Sequence, residues 1–306
     1  KVKDVIERIG HQNPDLVKPT LGPKNPWAYR NKMQMPVGGT KGDIQMGFYA
    51  MGSHDIVQGT NCPIQDEGNN IIAQACYQIA KEFDIEPYDE HTGKGVLRHV
   101  IGRIGQSGWM TILVTATEHL PHQEKWVEKL TERVPQVETI VHNVNGKRTN
   151  VILGPKNSVL YGDGTITDHI KDLRFTLSPH SFFQVNPEQT TVLYDQALAY
   201  ADLKGTEIVI DAYCGTGTIS LFLAHKAKHV IGIEIVEPAI INARENARRN
   251  GYDNTEFIVA DAAVEMPKLY KAGVRPDVIV FDPIRAGCKE EVLTSAASME
   301  PKRIVY

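Results

Sequence analysis

Residues 211–218 read Asp-Ala-Tyr-Cys-Gly-Thr-Gly-Thr. The apolar run before them predicts a strand, and the run after them predicts a helix. A glycine turn between a strand and a helix lets a ligand approach the backbone at a helix N-terminus. The next predicted strand, 229–235, contains Glu234, and the one after, 255–261, ends at Asp261. A carboxylate at Glu234 accepts both ribose hydroxyls of an adenosine, and Asp261 reaches the adenine edge. All three features fall at carboxyl ends of strands, where ligands bind in parallel α/β sheets.

Two cofactor classes suit a glycine turn followed by an acid. A dinucleotide needs the third glycine of GxGxxG, and Ser220 stands there. Asp211 would also lie beside a pyrophosphate and repel it, whereas a sulfonium tolerates a carboxylate. The residues therefore favour a methyl donor, S-adenosylmethionine. The plainer alternative is a loop glycine pair with two solvated acids.

These residues need a doubly wound sheet to position them. From 187 onward helices and near-continuous apolar strands alternate: helix 187–202, strand 208–213, helix 217–226, strand 229–235, helix 237–249, strand 255–261, a short helix, strand 277–283, helix 288–299 and strand 303–306. That rhythm predicts a Rossmann-like parallel sheet. Between Tyr29 and Leu173 strands follow strands, at 44–51, 96–103, 109–116, 137–144 and 151–154, with helices only at 67–83 and 123–133, so an α+β unit is expected there. The expected division is an N-terminal helix and loop (1–27), a central α+β unit (28–178) and a unit that binds the methyl donor (179–306). The last strand would leave an unpaired edge, and the chain opens without Met, so a longer natural protein is expected.

Composition sets the outer bounds. No apolar run is long enough to span a membrane, and Cys62, Cys76, Cys214 and Cys288 lack the pairing or zinc-ligand spacing of a framework, so a reducing cytoplasm is the expected compartment. The net charge of −4 argues against a basic protein overall, so a nucleic-acid partner requires a local patch. Candidates are Arg30 and Lys32 beside Tyr29, then Arg98, His99 and Arg103 on one strand, and Lys147 and Arg148 on a turn. They are expected to line one groove; solvated charge on a sheet face is the plainer reading of any one of them.

Two further segments, Ser181-Phe182-Phe183-Gln184-Val185-Asn186 and Phe281-Asp282-Pro283-Ile284-Arg285-Ala286-Gly287-Cys288, join DAYCGTG and the terminal RIVY. Together these resemble the RNA uracil-5 methyltransferase family, over nearly the whole chain and closest to the enzymes acting on bacterial 23S ribosomal RNA. The resemblance implies that Gln184 contacts the methionine end of S-adenosylmethionine, that Tyr213 and Glu234 hold its adenosine with Asp261 near the adenine, and that Asp282 lies between cofactor and base. It implies that Phe182 stacks on an extruded uracil and that Arg285 holds a phosphate or Asp282; simple core packing is expected of either Phe182 or Phe183. Ile284 departs from the proline many members carry. Cys62-Pro63-Ile64 resembles the family's stretch for the fourth ligand of a 4Fe-4S cluster, the other three ligands having no match here. A small buried hydrophobe is the plainer role for a single cysteine.

The resemblance also implies a mechanism. A cysteine thiolate adds to carbon 6 of uracil, carbon 5 becomes nucleophilic and takes the methyl, and a base then removes the carbon 5 proton. The base must first be flipped out of its stack. In the family the nucleophile follows the strand matching RIVY, so it is expected just after Tyr306, with the general base further on. Cys288 is the substitute within the chain, though packing at a helix start is its expected role, and Cys214 is expected to be structural. The competing expectations are a transfer-RNA uracil-5 methyltransferase, methylation of another acceptor, for which the aromatic of an Asn-Pro-Pro-Tyr-like loop is lacking, and a non-catalytic RNA-binding module that keeps the cofactor fold. A monomer is expected.

Overall fold

A computed structural model describes all 306 residues. A short helix, α1 (Val2–Arg8), precedes a seven-stranded sheet. Its elements run β1 (Lys32–Thr40), β2 (Asp43–Tyr49), β3 (Ile56–Gln58), α2 (Glu67–Glu82), β4 (Leu97–Ile104), β5 (Trp109–Thr115), α3 (Gln123–Arg133), β6 (Val137–Val144) and β7 (Lys156–Tyr161). The spatial order is β3-β2-β1-β4-β5-β6-β7. Only β5 and β6 pair in parallel, with α3 as their crossover. A hairpin of β8 (Ile166–Ile170) and β9 (Leu173–Leu177) follows.

The remainder is α4 (Pro187–Ala201), β10 (Ile208–Asp211), α5 (Thr218–Ala224), β11 (His229–Glu234), α6 (Glu237–Arg249), β12 (Thr255–Val259), α7 (Ala262–Lys271), β13 (Val278–Val280), α8 (Glu290–Met299) and β14 (Arg303–Val305). The five strands are all parallel in the order β12-β11-β10-β13-β14. Strand order reverses between β10 and β13. That switch point is where a doubly wound sheet opens a crevice outside its carboxyl ends. The fold is thus a doubly wound, Rossmann-like parallel sheet joined to an antiparallel-rich α+β unit.

The two units share a core. One face of the seven-stranded sheet packs Leu97, Val100 and Leu113 against Ile72 and Ile79 of α2 and Trp126 and Leu130 of α3. The other face sends Ile101, Met110, Ile112 and Val114 into a cluster with Phe175, Tyr194, Val209 and Val280. Alternating side chains of β4 therefore enter two different apolar cores, and the strand is buried almost throughout.

That burial corrects one expectation. Arg98 and His99 are not on an exposed groove. Arg98 is 3% exposed, stacks on Tyr88 with its guanidinium 4.4 Å from the ring centre, and donates to the carbonyls of Asn145 (2.5 Å) and Lys147 (2.8 Å). It fastens the 145–150 turn to the sheet. Burial takes His99 down to about 4, so it is neutral at physiological pH. The expected strand at 151–154 is irregular, and the next strand, β7, begins only at Lys156. Asn145 donates to the carbonyls of Val151 and Ile152, which serve as loop anchors.

Candidate active site

The segment 181–186 lies between the two units and is tied to both. From the seven-stranded sheet, Arg103 donates to the Ser181 carbonyl and the Asn31 amide donates to the Val185 carbonyl at 2.9 Å. From the parallel sheet side, Asn242 of α6 donates to Ser181 Oγ at 3.3 Å, and Thr216 Oγ1 donates to the Phe182 carbonyl at 3.4 Å. Asn186 then caps α4 through the Gln189 amide, with Pro187 at the helix start. With its backbone fixed from both sides, the segment divides its aromatics. Phe183 is 5% exposed and packs on Phe175 at 5.6 Å, whereas Phe182 is 66% exposed. An apolar ring held out into water is a platform for a flat ligand.

At the end of β10 the turn takes its shape from two left-handed glycines, Gly215 (φ +53°) and Gly217 (φ +81°). A side chain at Gly217 would strike Ala243 and Phe257 at 3.1 Å, so packing demands that glycine. A side chain at Gly215 would meet nothing within 4 Å, which leaves its backbone face open to a ligand. Glu234, at the end of β11, accepts from the Gly215 amide (3.3 Å) and the Val236 amide (2.9 Å). Its oxygens keep lone pairs for further donors.

Across the switch point, Gln184 Nε2 donates to Asp282 Oδ2 at 3.5 Å. Tyr194, buried on α4, shares a 2.8 Å hydrogen bond with Thr218. The sequence pattern does not single out Tyr194, and it marks Asp211 only as an acid unsuited to a pyrophosphate. A tyrosine inside an amphipathic helix reads as core, and only its hydroxyl partner marks it as polar machinery. Asp211 is fully buried, bonded to Ser220 at 2.5 Å, and its second oxygen has no partner. Burial raises it to about 7, and the charges of Asp282 and Glu234 push in the same direction. Burial also raises Asp282 above the usual carboxylate range, although its residue surface is open.

On the far side of the turn, Asp261 caps α7 through the Ala263 amide (2.9 Å) and pairs with Lys289 at 2.5 Å. Tyr213 is half-buried beside Cys288 and Asp261. Burial first, and then the Cys288 thiol and the Asp261 charge, push it up to about 12. Arg285 is exposed on the loop tip next to Ile284, itself 77% exposed. Cys62 is half-buried in a loop held by Asn70, whose side chain accepts from the Cys62 amide (3.0 Å) and donates to its carbonyl (3.4 Å). No group of three or more His, Cys, Asp or Glu side chains stands in metal-binding proximity.

This donor set can be tested against S-adenosylmethionine on its own chemistry. The charges of Asp282 and Glu234 both bear on the buried Asp211, so a positively charged ligand relieves that repulsion and a pyrophosphate worsens it. Glu234 offers only acceptors, as a diol requires. The residues fit an adenosyl sulfonium. Concavity alone would choose otherwise: a groove of about 660 Å³ runs along α2 past Thr60, Glu67, Gln74 and Arg133. It lies away from the strand ends, where backbone and carboxylates converge.

A methyltransferase-domain family model matches residues 203–303. An uncharacterized RNA methyltransferase of Halalkalibacterium halodurans is 51% identical over 308 residues, covering 100% of this chain and 67% of the relative. Another, from Clostridium acetobutylicum, is 47% identical over 312 residues with the same coverage of both chains. The chain belongs to the RNA methyltransferases. Among solved structures, the tRNA (uracil-54, C5)-methyltransferase of Pyrococcus abyssi, in complex with S-adenosyl-L-homocysteine, superposes with a TM-score of 0.74 at 24% identity, over 92% of this RNA methyltransferase chain and 66% of the other. The fold is shared with that enzyme. The chain spans about two thirds of the length of these relatives.

Proposed function

We propose that the whole protein transfers the methyl of S-adenosylmethionine to carbon 5 of a uridine in RNA, with 23S ribosomal RNA as the substrate and transfer RNA as the second reading. One observation carries this: Gln184 meets Asp282 at 3.5 Å across the switch point, two residues from the exposed ring of Phe182. Cofactor and base would thereby share one mouth.

The division of labour follows the fold. Residues 28–178 serve as the RNA-binding unit and 179–306 as the cofactor-binding unit. Tyr213, Glu234 and Asp261 hold the adenosine, and Gln184 meets the methionine end. When bound, the cofactor supplies an electrophilic methyl. Phe182 stacks on the extruded uracil, which must leave its helix for carbon 5 to be reached. Asp282, at the junction of the two pockets, orients the base through its Gln184-bonded carboxyl. Arg285, exposed and free of ion pairs, meets a phosphate. The covalent step needs a thiolate, and Cys214 does not suit it. Burial raises its thiol far above the usual range, with Asp211 and Glu234 adding to the shift. We assign the nucleophile to sequence beyond Tyr306.

Cys62 belongs to the same reading as one ligand of a 4Fe-4S cluster completed elsewhere in the longer protein. Four thiolates are the usual requirement, and this chain's other cysteines do not approach it, so no step runs through the cluster. The fold shared with a transfer-RNA enzyme supports the second reading. Mass mapping of 5-methyluridine in ribosomal and transfer RNA from a deletion strain decides between them. A single methyl lost from 23S RNA supports the first reading, and one lost only from transfer RNA supports the second. An unchanged complement in both refutes the proposal.

A further inference from the structure

A cluster of basic side chains, Arg30, Lys32 and Arg103 with His180 beside them, lies beneath residues 181–185. Lys32 and Arg103 stand opposite each other in the β1–β4 ladder. The charges of Arg103 and Arg30 both bear on Lys32, and those of Lys32 and Arg103 bear on His180. Arg103 is 3% exposed; a terminal nitrogen serves the Ser181 carbonyl, but its Nε is buried without a partner. Buried donors left unmatched are rare, and charged ones cost most. The carboxylate acting on Arg103 is Asp168, which burial itself holds above the usual range, so its counter-charge is partial. Desolvation and these neighbours bring the Lys32 ammonium down to about 7. A crowd of cations with so little compensation is unfavourable alone and favourable around an anion.

We propose that Arg30, Lys32, Arg103 and His180 anchor a backbone phosphate of the RNA strand whose base lodges at Phe182. The inference rests on the reading of the site as an RNA uridine methyltransferase and deepens it. Location carries the choice of RNA. Arg103 holds Ser181, the residue before the exposed ring, and Asn31, between Arg30 and Lys32, holds Val185. A strand whose base is turned out must be held on either side of the flipped nucleotide, and phosphate contacts supply that positioning. The shallow pocket lined by Asn31, Lys32, Arg103 and Phe183 has room for little more than a water. The phosphate therefore rests on its rim over Lys32.

The test uses the full-length protein and a structured RNA containing the target uridine. Lys32→Gln and Lys32→Arg are compared with wild type by RNA affinity from about 50 to 200 mM salt, by S-adenosylmethionine affinity and by melting temperature. Lys32→Gln is expected to weaken RNA binding about tenfold and to reduce the salt slope by about 1. Its cofactor affinity stays unchanged, and its melting temperature holds or rises because repulsion is relieved. Lys32→Arg keeps the RNA affinity. RNA affinity and salt slope equal to wild type in Lys32→Gln overturn the proposal. So does stabilisation of wild type, but not of Lys32→Gln, by inorganic phosphate when their RNA slopes agree, which assigns the site to a free anion. Wild-type protein that binds no RNA at any salt overturns both this proposal and the reading beneath it.

Discussion

Phe182 and Phe183 are adjacent in the chain and face opposite surroundings, and that division separates stability from activity at the scale of single residues. Phe183→Ala removes a ring from the core shared with Phe175 and is expected to cost about 3–5 kcal/mol of folding stability. Phe182→Ala is expected to change stability by no more than about 0.5 kcal/mol, while methyl transfer falls tenfold or more. Chemical denaturation beside an activity assay checks both, and equal stability losses would contradict the division. Asp211 gives a pH prediction. Burial holds its carboxyl at about 7 in the folded chain, against about 4 unfolded. Between those values the folded state keeps a proton that the unfolded state has lost, so stability declines as pH rises through this window. Asp211→Asn keeps an acceptor for Ser220 and removes the titration. Denaturation midpoints across the window should flatten in that variant, and an undiminished slope would show that another group is responsible.

At the scale of elements, the turn after β10 is set by packing as much as by ligand. Gly217→Ala forces a Cβ against Phe257 and Ala243 at a positive φ and is expected to destabilise by about 1–3 kcal/mol. Gly215→Ala, with open space around it, should cost less stability and more cofactor affinity. Thermal melts and cofactor titrations on the two variants would expose the opposite pattern if it exists. The parallel unit was legible because its strands are continuous apolar runs and its helices alternate with them; the helix 237–249 stands where its spacing puts it. The antiparallel unit was less so. β1 contains Pro36, Gly38 and Gly39, residues that argue against a central strand. It pairs with β4 over Lys32–Pro36 and with β2 over Val37–Thr40, so Pro36 sits where the strand exchanges partners and its missing N–H costs little. The β8–β9 hairpin was hidden because two short strands joined by Lys171 and Asp172 lack a glycine turn; Lys171 itself adopts the left-handed conformation. Of the site, the strand-end acids were readable from position. The Tyr194–Thr218 bond and the Arg98 anchor were not, because each depends on a partner distant in sequence.

For the whole molecule, the placement of charge makes up for a modest negative total. Carboxylates at Asp211, Glu234 and Asp282 gather at the carboxyl ends of the parallel strands, the basic side chains of Arg30, Lys32 and Arg103 lie with the neutral His180 on the side of the seven-stranded sheet, and the exposed ring of Phe182 stands on the segment tied to both. A net charge of −4 is thereby compatible with an RNA substrate, because binding depends on the local field and not on the sum. The shared core between the two units fixes that polarity. The central claim is that the methyl goes to carbon 5 of uridine, and replacing the hydrogen on that carbon gives a direct readout. Full-length protein would be incubated with S-adenosylmethionine and RNA labelled with tritium at carbon 5 of its uridines. One tritium is expected to be released to water for each methyl incorporated at the target uridine. Methyl incorporation without tritium release would contradict it.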